Sequence, residues 1–173
     1  MAGVAGSALL AGTGIAQAQA AAWDDIAGPN GLYQLQLPKG FRYVAIPRQD
    51  GGTVRMYTLT TADKITFDFT FADFVGNEAH LPASPAELAA RLVGIQAGME
   101  KSWPGEVLEQ APIELGGTPG RRFLLSVEQG RAVVAARVYF GTKAIYSQTA
   151  YAPAAARQDP AIAQFMDSLR LAD

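Results

Sequence analysis

Residues 65–71 read Ile-Thr-Phe-Asp-Phe-Thr-Phe, four large apolar side chains in strict alternation with three polar ones. Successive side chains of a strand point to opposite faces, so Ile65, Phe67, Phe69 and Phe71 form a core face and Thr66, Asp68 and Thr70 a polar one. The preceding stretch, 53–60, alternates as well. A turn through Thr61 to Lys64 pairs the two runs antiparallel, with Val54 opposite Phe71, Met56 opposite Phe69 and Thr58 opposite Phe67. On the other face this register sets Arg55 against Thr70 and Tyr57 against Asp68, and predicts a diagonal Arg55–Asp68 ion pair.

Outward from this hairpin the same period continues. Tyr33, Leu35 and Leu37 alternate with Gln34 and Gln36, and turn signals stand at Gly28-Pro29-Asn30-Gly31, Pro38-Lys39-Gly40, Asp50-Gly51-Gly52, Gly116-Gly117-Thr118-Pro119-Gly120 and Gln129-Gly130. A meander is expected over 121–127, 131–140 and 143–151. Two helices carry end signals. Ser84-Pro85-Ala86-Glu87 supplies a hydroxyl N-cap, Pro at the first helical position and Glu at the third, followed by an apolar stripe of Leu88, Leu92, Ile95 and Met99 up to about Ser102. Glu87 also precedes Arg91 by one helical turn, the favourable orientation for an ion pair. Asp159-Pro160 opens the second helix, which turns Ile162, Phe165, Met166 and Leu169 inward. Ala90, Gly94, Ala97 and Gly98 form a small-residue strip on the first helix, expected to pack closely on the sheet. Hairpin-linked strands with helices in separate segments make an α+β fold with an antiparallel sheet.

Composition narrows the function. The chain has 173 residues, 49% hydrophobic and 17% charged, with 14 basic and 16 acidic side chains and a net charge of −2. The isoelectric point near 5.4 argues against nucleic-acid binding, which rests on clustered Lys and Arg. With no cysteine there is no disulfide, thiolate metal site, iron–sulfur cluster, cysteine nucleophile or lipid-modified Cys, and His80 is the single histidine. No cofactor is implied.

Residues 1–22 carry no charged side chain; an apolar run from Val4 to Ile15 leads into Ala16-Gln17-Ala18 and Ala18-Gln19-Ala20. Apolar region then A-x-A step is the pattern of a signal peptide, although the basic start is missing; a flexible Ala/Gly leader is the alternative. The stretch has too few large aliphatics for a membrane anchor. Residues 23–173 are then expected to form one domain, in the periplasm or secreted.

The layout supports a family resemblance. A strand ends in Leu37-Pro38-Lys39-Gly40-Phe41; two strands and a capped helix follow; a strand reaches Leu115-Gly116-Gly117-Thr118-Pro119-Gly120-Arg121; a meander and a helix with Phe165-Met166-Asp167-Ser168-Leu169 close the chain. Over about residues 31–171 this resembles the Mog1/PsbP-like superfamily, which includes photosystem II extrinsic subunits, a nuclear transport factor and bacterial exported proteins of the DcrB and LpqN type. The resemblance implies an α/β/α sandwich used as a binding or accessory module, not as an enzyme. Its bacterial relatives are often lipoproteins, an anchoring this cysteine-free sequence cannot use.

Candidate chemistry is sparse. His80, with Asp73 and Glu78 before it, could nucleate a small hydrolase or metal-dependent enzyme, but its spacing matches no regular ligand motif, Ser84 is already explained as a cap, and no Gly-x-Ser-x-Gly elbow occurs. Asp68 and Asp73 could formally act as paired carboxylates. Arginines offer more. A three-residue turn between the first two meander strands sets Arg121 opposite Arg137, whereas a two-residue Gln129-Gly130 turn sets Arg122 opposite Arg137; the next hairpin brings Tyr146 or Ser147 opposite Arg137. Like charges across strands repel unless an anion or carboxylate intervenes. Arg121, Arg122, Arg137, Tyr146 and Ser147 are therefore the candidate ligand-binding residues, with neutralisation by Glu109 or Glu114 the competing expectation. The function expected is an exported, non-catalytic accessory or binding protein that contacts a protein partner or a small anionic ligand, with no nucleic acid and no stable membrane anchor. Mass spectrometry of the exported protein should find a new N-terminus between Gln19 and Trp23; an intact Met1 on cytosolic protein would refute export.

Overall fold

The structure, a computed structural model, describes residues 22–74 and 82–172. In chain order its elements are β1 (Trp23–Ala27), β2 (Tyr33–Pro38), β3 (Arg42–Pro47), β4 (Thr53–Thr60), β5 (Thr66–Asp73), α1 (Pro85–Ser102), β6 (Gly105–Leu115), β7 (Thr118–Val127), β8 (Ala132–Phe140), β9 (Ala144–Pro153), α2 (Pro160–Ser168) and β10 (Arg170–Leu171). Seven strands form one antiparallel sheet in the order β3-β4-β5-β9-β8-β7-β6, and β1-β2-β10 form a small second sheet. The fold is α+β, as the strand and helix patterns imply.

Two cores lie on the two faces of the large sheet. Phe67, Phe69 and Phe71 are fully buried and pack with Tyr33, Leu35 and Leu37 of the small sheet and Ile162, Phe165 and Met166 of α2. On the other face Phe123, Leu125, Val134, Ala136 and Val138 meet Leu88, Leu92, Ile95 and Met99, the expected stripe of α1. Both helix starts are capped as read: Ser84 Oγ accepts from the Glu87 N–H at 3.2 Å, and Asp159 Oδ1 from the Ala161 N–H at 2.8 Å. The Glu87 carboxylate accepts in turn from the Ala83 N–H at 2.8 Å, one residue before the cap, and pairs with Arg91 at 2.6 Å.

The β4–β5 register differs by one residue from the expectation. Tyr57 lies opposite Phe69, Arg55 opposite Phe71 and Val54 opposite Ala72. The cause is the turn. Lys64 adopts the left-handed conformation at φ 65°, and the Thr61 N–H donates to the Ile65 carbonyl at 2.9 Å, so the loop is three residues long instead of four. Arg55 and Tyr57 thereby join the phenylalanine face. Arg55 pairs with Asp73, its Nη1 3.0 Å from Oδ2, rather than with Asp68.

Strands β3, β1 and β10 have no strong alternation and are additions of the structure, whereas β2 is the strand that Tyr33, Leu35 and Leu37 mark. Every residue of β3 is exposed. It forms one edge of the large sheet, where the Arg48 N–H bonds the Gly52 carbonyl at 2.7 Å. Alternation from that bond turns the backbone of Tyr43, Ala45 and Pro47 outward, and the missing N–H of Pro47 thus falls on the open side. The opposite edge, β6, carries a bulge between Val107 and Glu109, together with Pro112 and Glu106, Glu109 and Glu114, devices that discourage further strand addition.

Gly94 and Gly98 do not pack on the sheet as expected: both are exposed, and a Cβ built on either meets nothing within 4 Å. Their helical conformation suits alanine, which costs less backbone entropy. Gly94→Ala and Gly98→Ala should each stabilise the protein by about 0.5–1 kcal/mol in urea unfolding; a loss in either variant would show an unseen contact at that face.

Candidate ligand-binding site

The arginine constellation is sorted by strand parity. Gln129 and Gly130 both have positive φ, 60° and 85°, which makes the β7–β8 connection a two-residue turn and sets Arg122 opposite Arg137. Neighbours along a strand face opposite ways, so Arg121 is on the other face, under α1. There its Nη2 donates to Gln110 Oε1 at 2.7 Å and its Nε to Gln96 Oε1. Arg121 thus ties α1 to β6 through two glutamines.

Arg137 is engaged from the α2 side. Its Nη1 donates to the Met166 carbonyl at 2.8 Å and its Nη2 to Asp167 Oδ1 at 2.8 Å. A helix leaves its last carbonyls without intrahelical donors, and a cation there also meets the negative end of the helix dipole. Gln148, fully buried, does the same work one residue earlier: its Nε2 donates to the Phe165 carbonyl at 2.7 Å. Gln148, not Tyr146 or Ser147, lies opposite Arg137. The Gly141 N–H bonds the Ala144 carbonyl at 2.9 Å, leaving only Thr142 and Lys143 in the loop and shifting the register beyond either expected one.

Arg122 is exposed and, among the described residues, has no hydrogen-bond or ion-pair partner. It borders a shallow cavity of about 160 Å³ with Glu109, Leu124, Ala135, Arg137 and Met166. Asp167 neutralises Arg137 at 2.8 Å, and Glu109 pairs with Arg157 at 3.5 Å rather than with Arg122. Three guanidinium groups against two carboxylates leave this face with an excess positive charge. Ser147, between Thr70 and Val138, lies on the α1 face. Tyr146 is on the same face as Arg122 but toward the other end of the strands, opposite Phe71 and Tyr139. Burial raises its phenol pKa. Of the candidate set, the fold brings Arg122 and Arg137 together and leaves the other three apart.

The remaining candidates separate as well. Asp68 accepts from the Thr58 hydroxyl on the α1 face, and its burial raises the carboxyl pKa despite that bond. Asp73 sits on the phenylalanine face, with Oδ1 accepting from the Thr53 N–H at 2.8 Å and Oδ2 from Arg55, so the two carboxylates share no proton. His80 and Glu78 lie outside the described residues, and Ser84 is occupied as a helix cap. Among the described residues no cluster of His, Asp and Glu is placed to hold a metal ion, and no helix is long and apolar enough to cross a membrane. Sequence reasoning missed a second concave region, around Thr142 and Lys143, because its walls come from turns far apart in the chain.

No family model matches the chain, and no curated protein matches it. Solved structures do. The solution structure of cyanobacterial PsbP (CyanoP) from Synechocystis sp. PCC 6803 is similar with a TM-score of 0.61 at 10% identity, over 95% of this chain and 98% of that one. A Pseudomonas aeruginosa protein of unknown function, PA94, gives a TM-score of 0.44 at 15% identity, over 83% of this chain and 93% of that one. The chain has a PsbP-like fold.

The two arginines should respond differently to substitution. Arg137→Gln removes a charge-assisted bond to the end of α2 and should destabilise by about 1–3 kcal/mol, whereas Arg122→Gln should stay within about 0.5 kcal/mol of the parent. Equal urea midpoints for the two variants would show that Arg137 does not anchor the helix.

Proposed function

We propose that this chain is an exported, non-catalytic accessory or binding domain that contacts an anionic group, on a protein partner or as a free small ligand, through the face bearing Arg122. The observation that carries this reading is the pairing of Arg122 with Arg137. Two like charges side by side on adjacent strands cost stability. Arg137 is compensated by Asp167 and by α2, while Arg122 keeps a full, exposed charge beside a small concavity. Such a guanidinium offers a bidentate fork to a carboxylate or phosphate.

The PsbP-like fold agrees with an accessory module, although a fold alone does not specify what is bound. Kinship with exported bacterial DcrB- and LpqN-type proteins is part of the same proposal. Export rests on the uncharged apolar stretch at 4–15 and the Ala-x-Ala steps after it. The absence of cysteine makes a released, untethered protein the form proposed here.

Pull-down from a periplasmic fraction tests the interaction, with Arg122→Glu compared against the parent protein. Capture should fall severalfold with the charge reversal, and the parent's capture should weaken as salt rises, since an exposed charge is screened over about 8–10 Å at 0.10–0.15 M ionic strength. Capture unchanged by both treatments would remove Arg122 from the binding face.

A further inference from the structure

A second concave region surrounds the β8–β9 turn. One cavity, about 330 Å³, is bordered by Leu32, Thr118, Phe140, Thr142, Lys143 and Tyr146. A neighbouring one, about 480 Å³, shares Leu32, Thr142 and Lys143 with it and adds Arg55, Phe71 and Asp73. The smaller volume equals that of about eleven water molecules at ~30 Å³ each, and lies at the low end of the ~300–1,000 Å³ usual for small-molecule sites.

Tyr146 is the telling residue. It is only 4% exposed, its ring is held against Phe71 and Tyr33 at 5.5 and 6.2 Å, and its hydroxyl has no hydrogen-bond partner among the described residues. The other deeply buried phenols do have partners. The Tyr33 hydroxyl donates to the Tyr57 hydroxyl at 3.1 Å, and Tyr139 is bonded to Arg137. A phenylalanine would fill the same ring space at position 146; the tyrosine adds a hydroxyl without a partner among the described residues, a polar group that a molecule in the cavity bordered by Tyr146 can meet.

Charge supplies the complement. Arg55 in the adjoining cavity is already matched by Asp73 at 3.0 Å and lies over the Phe71 ring at 5.5 Å. Lys143 borders both cavities and has no ion pair among the described residues. Leu32, Pro119 and Phe140 make apolar wall around these polar groups. A bare inorganic anion would leave that wall unused, and a neutral apolar molecule would leave both Tyr146 and Lys143 unmet.

We infer that the cavity at the β8–β9 turn binds a small organic acid with a compact apolar body, its carboxylate meeting Lys143 and the Tyr146 hydroxyl, and its body lying against Leu32 and Phe140. The site is separate from the Arg122 face and stands independently of it.

Titration of the isotopically labelled protein with benzoate, followed by amide chemical shifts, tests the assignment. Saturable shifts are expected at Thr118, Thr142, Lys143 and Tyr146, with acetate and benzyl alcohol binding more weakly than benzoate. Lys143→Gln and Tyr146→Phe should each weaken benzoate about 5- to 10-fold. Tyr146→Phe keeps the ring and its packing, so an unchanged unfolding midpoint separates lost binding from lost structure. Arg122→Glu should leave benzoate binding at this site unchanged. Shifts confined to Arg122 and its neighbours, or equal affinity in the parent and both cavity variants, would overturn the site.

Discussion

Phe67, Phe69 and Phe71, projecting from one side of a single strand, join the large sheet to the two elements laid on that face, the small sheet and α2. Phe67 meets Trp23 of the small sheet at 6.0 Å and Phe165 of α2 at 5.3 Å, while Phe69 and Phe71 meet Tyr33 at 4.8 and 5.1 Å. Each fully buried phenylalanine is worth roughly 1.5–3 kcal/mol in transfer from water, and each aromatic pair about 0.5–1.5 kcal/mol beyond that. Against a net stability of about 5–15 kcal/mol for a typical protein, the row is large enough to decide whether the small sheet and α2 are held at all. Everything placed by those layers, from the end of α2 to the Tyr146 ring, inherits its position from this strand.

The second constraint is the meeting of α2 with the sheet. A helix end laid on an apolar surface brings carbonyl groups that must find donors. Arg137 and Gln148, adjacent across β8 and β9, supply them to Met166 and Phe165. This engagement explains why one arginine of a facing pair can be half-buried while its neighbour is solvated. Arginines that read alike in sequence therefore serve different ends: Arg121 joins α1 to β6, Arg137 secures α2, and Arg122 remains available.

Much of the architecture was legible because the relevant signals are local. Ser84-Pro85 and Asp159-Pro160 mark helix starts by their own hydrogen bonding, and the alternation of Phe67, Phe69 and Phe71 needs no partner to be recognised. Register was harder. It hinged on Lys64 taking a left-handed conformation that lysine seldom adopts, and on the second hairpin turning at Thr142 and Lys143, one residue beyond the expected gap between residues 140 and 143; each shift moves every cross-strand pair. The arginine cluster was half legible, since the Gln129-Gly130 turn was one of two registers considered, but no carboxylate near in sequence pointed to Asp167 across the interface. Strand β3 was hidden because it has no buried face. The cavity near Tyr146 was hidden because Leu32, Thr118 and Lys143 converge only once both sheets are in place.

The order of strands in the large sheet has a consequence for how the molecule assembles. Short turns join β3 to β4 and β4 to β5, and others join β6 through β9, so each group can form from contacts close in sequence. The two meet only where β5 pairs with β9, with Phe69 opposite Gln148 across a seam whose strands are separated by α1 and three further strands. Closing so long a loop is the slow kind of event in folding. The phenylalanine row consequently waits for the last strand of the large sheet and for α2 behind it. In that interval the exposed aromatic face is the part of the chain most open to pairing with a neighbouring molecule, and the demand for protection falls on the nascent or unfolded protein rather than on the finished one.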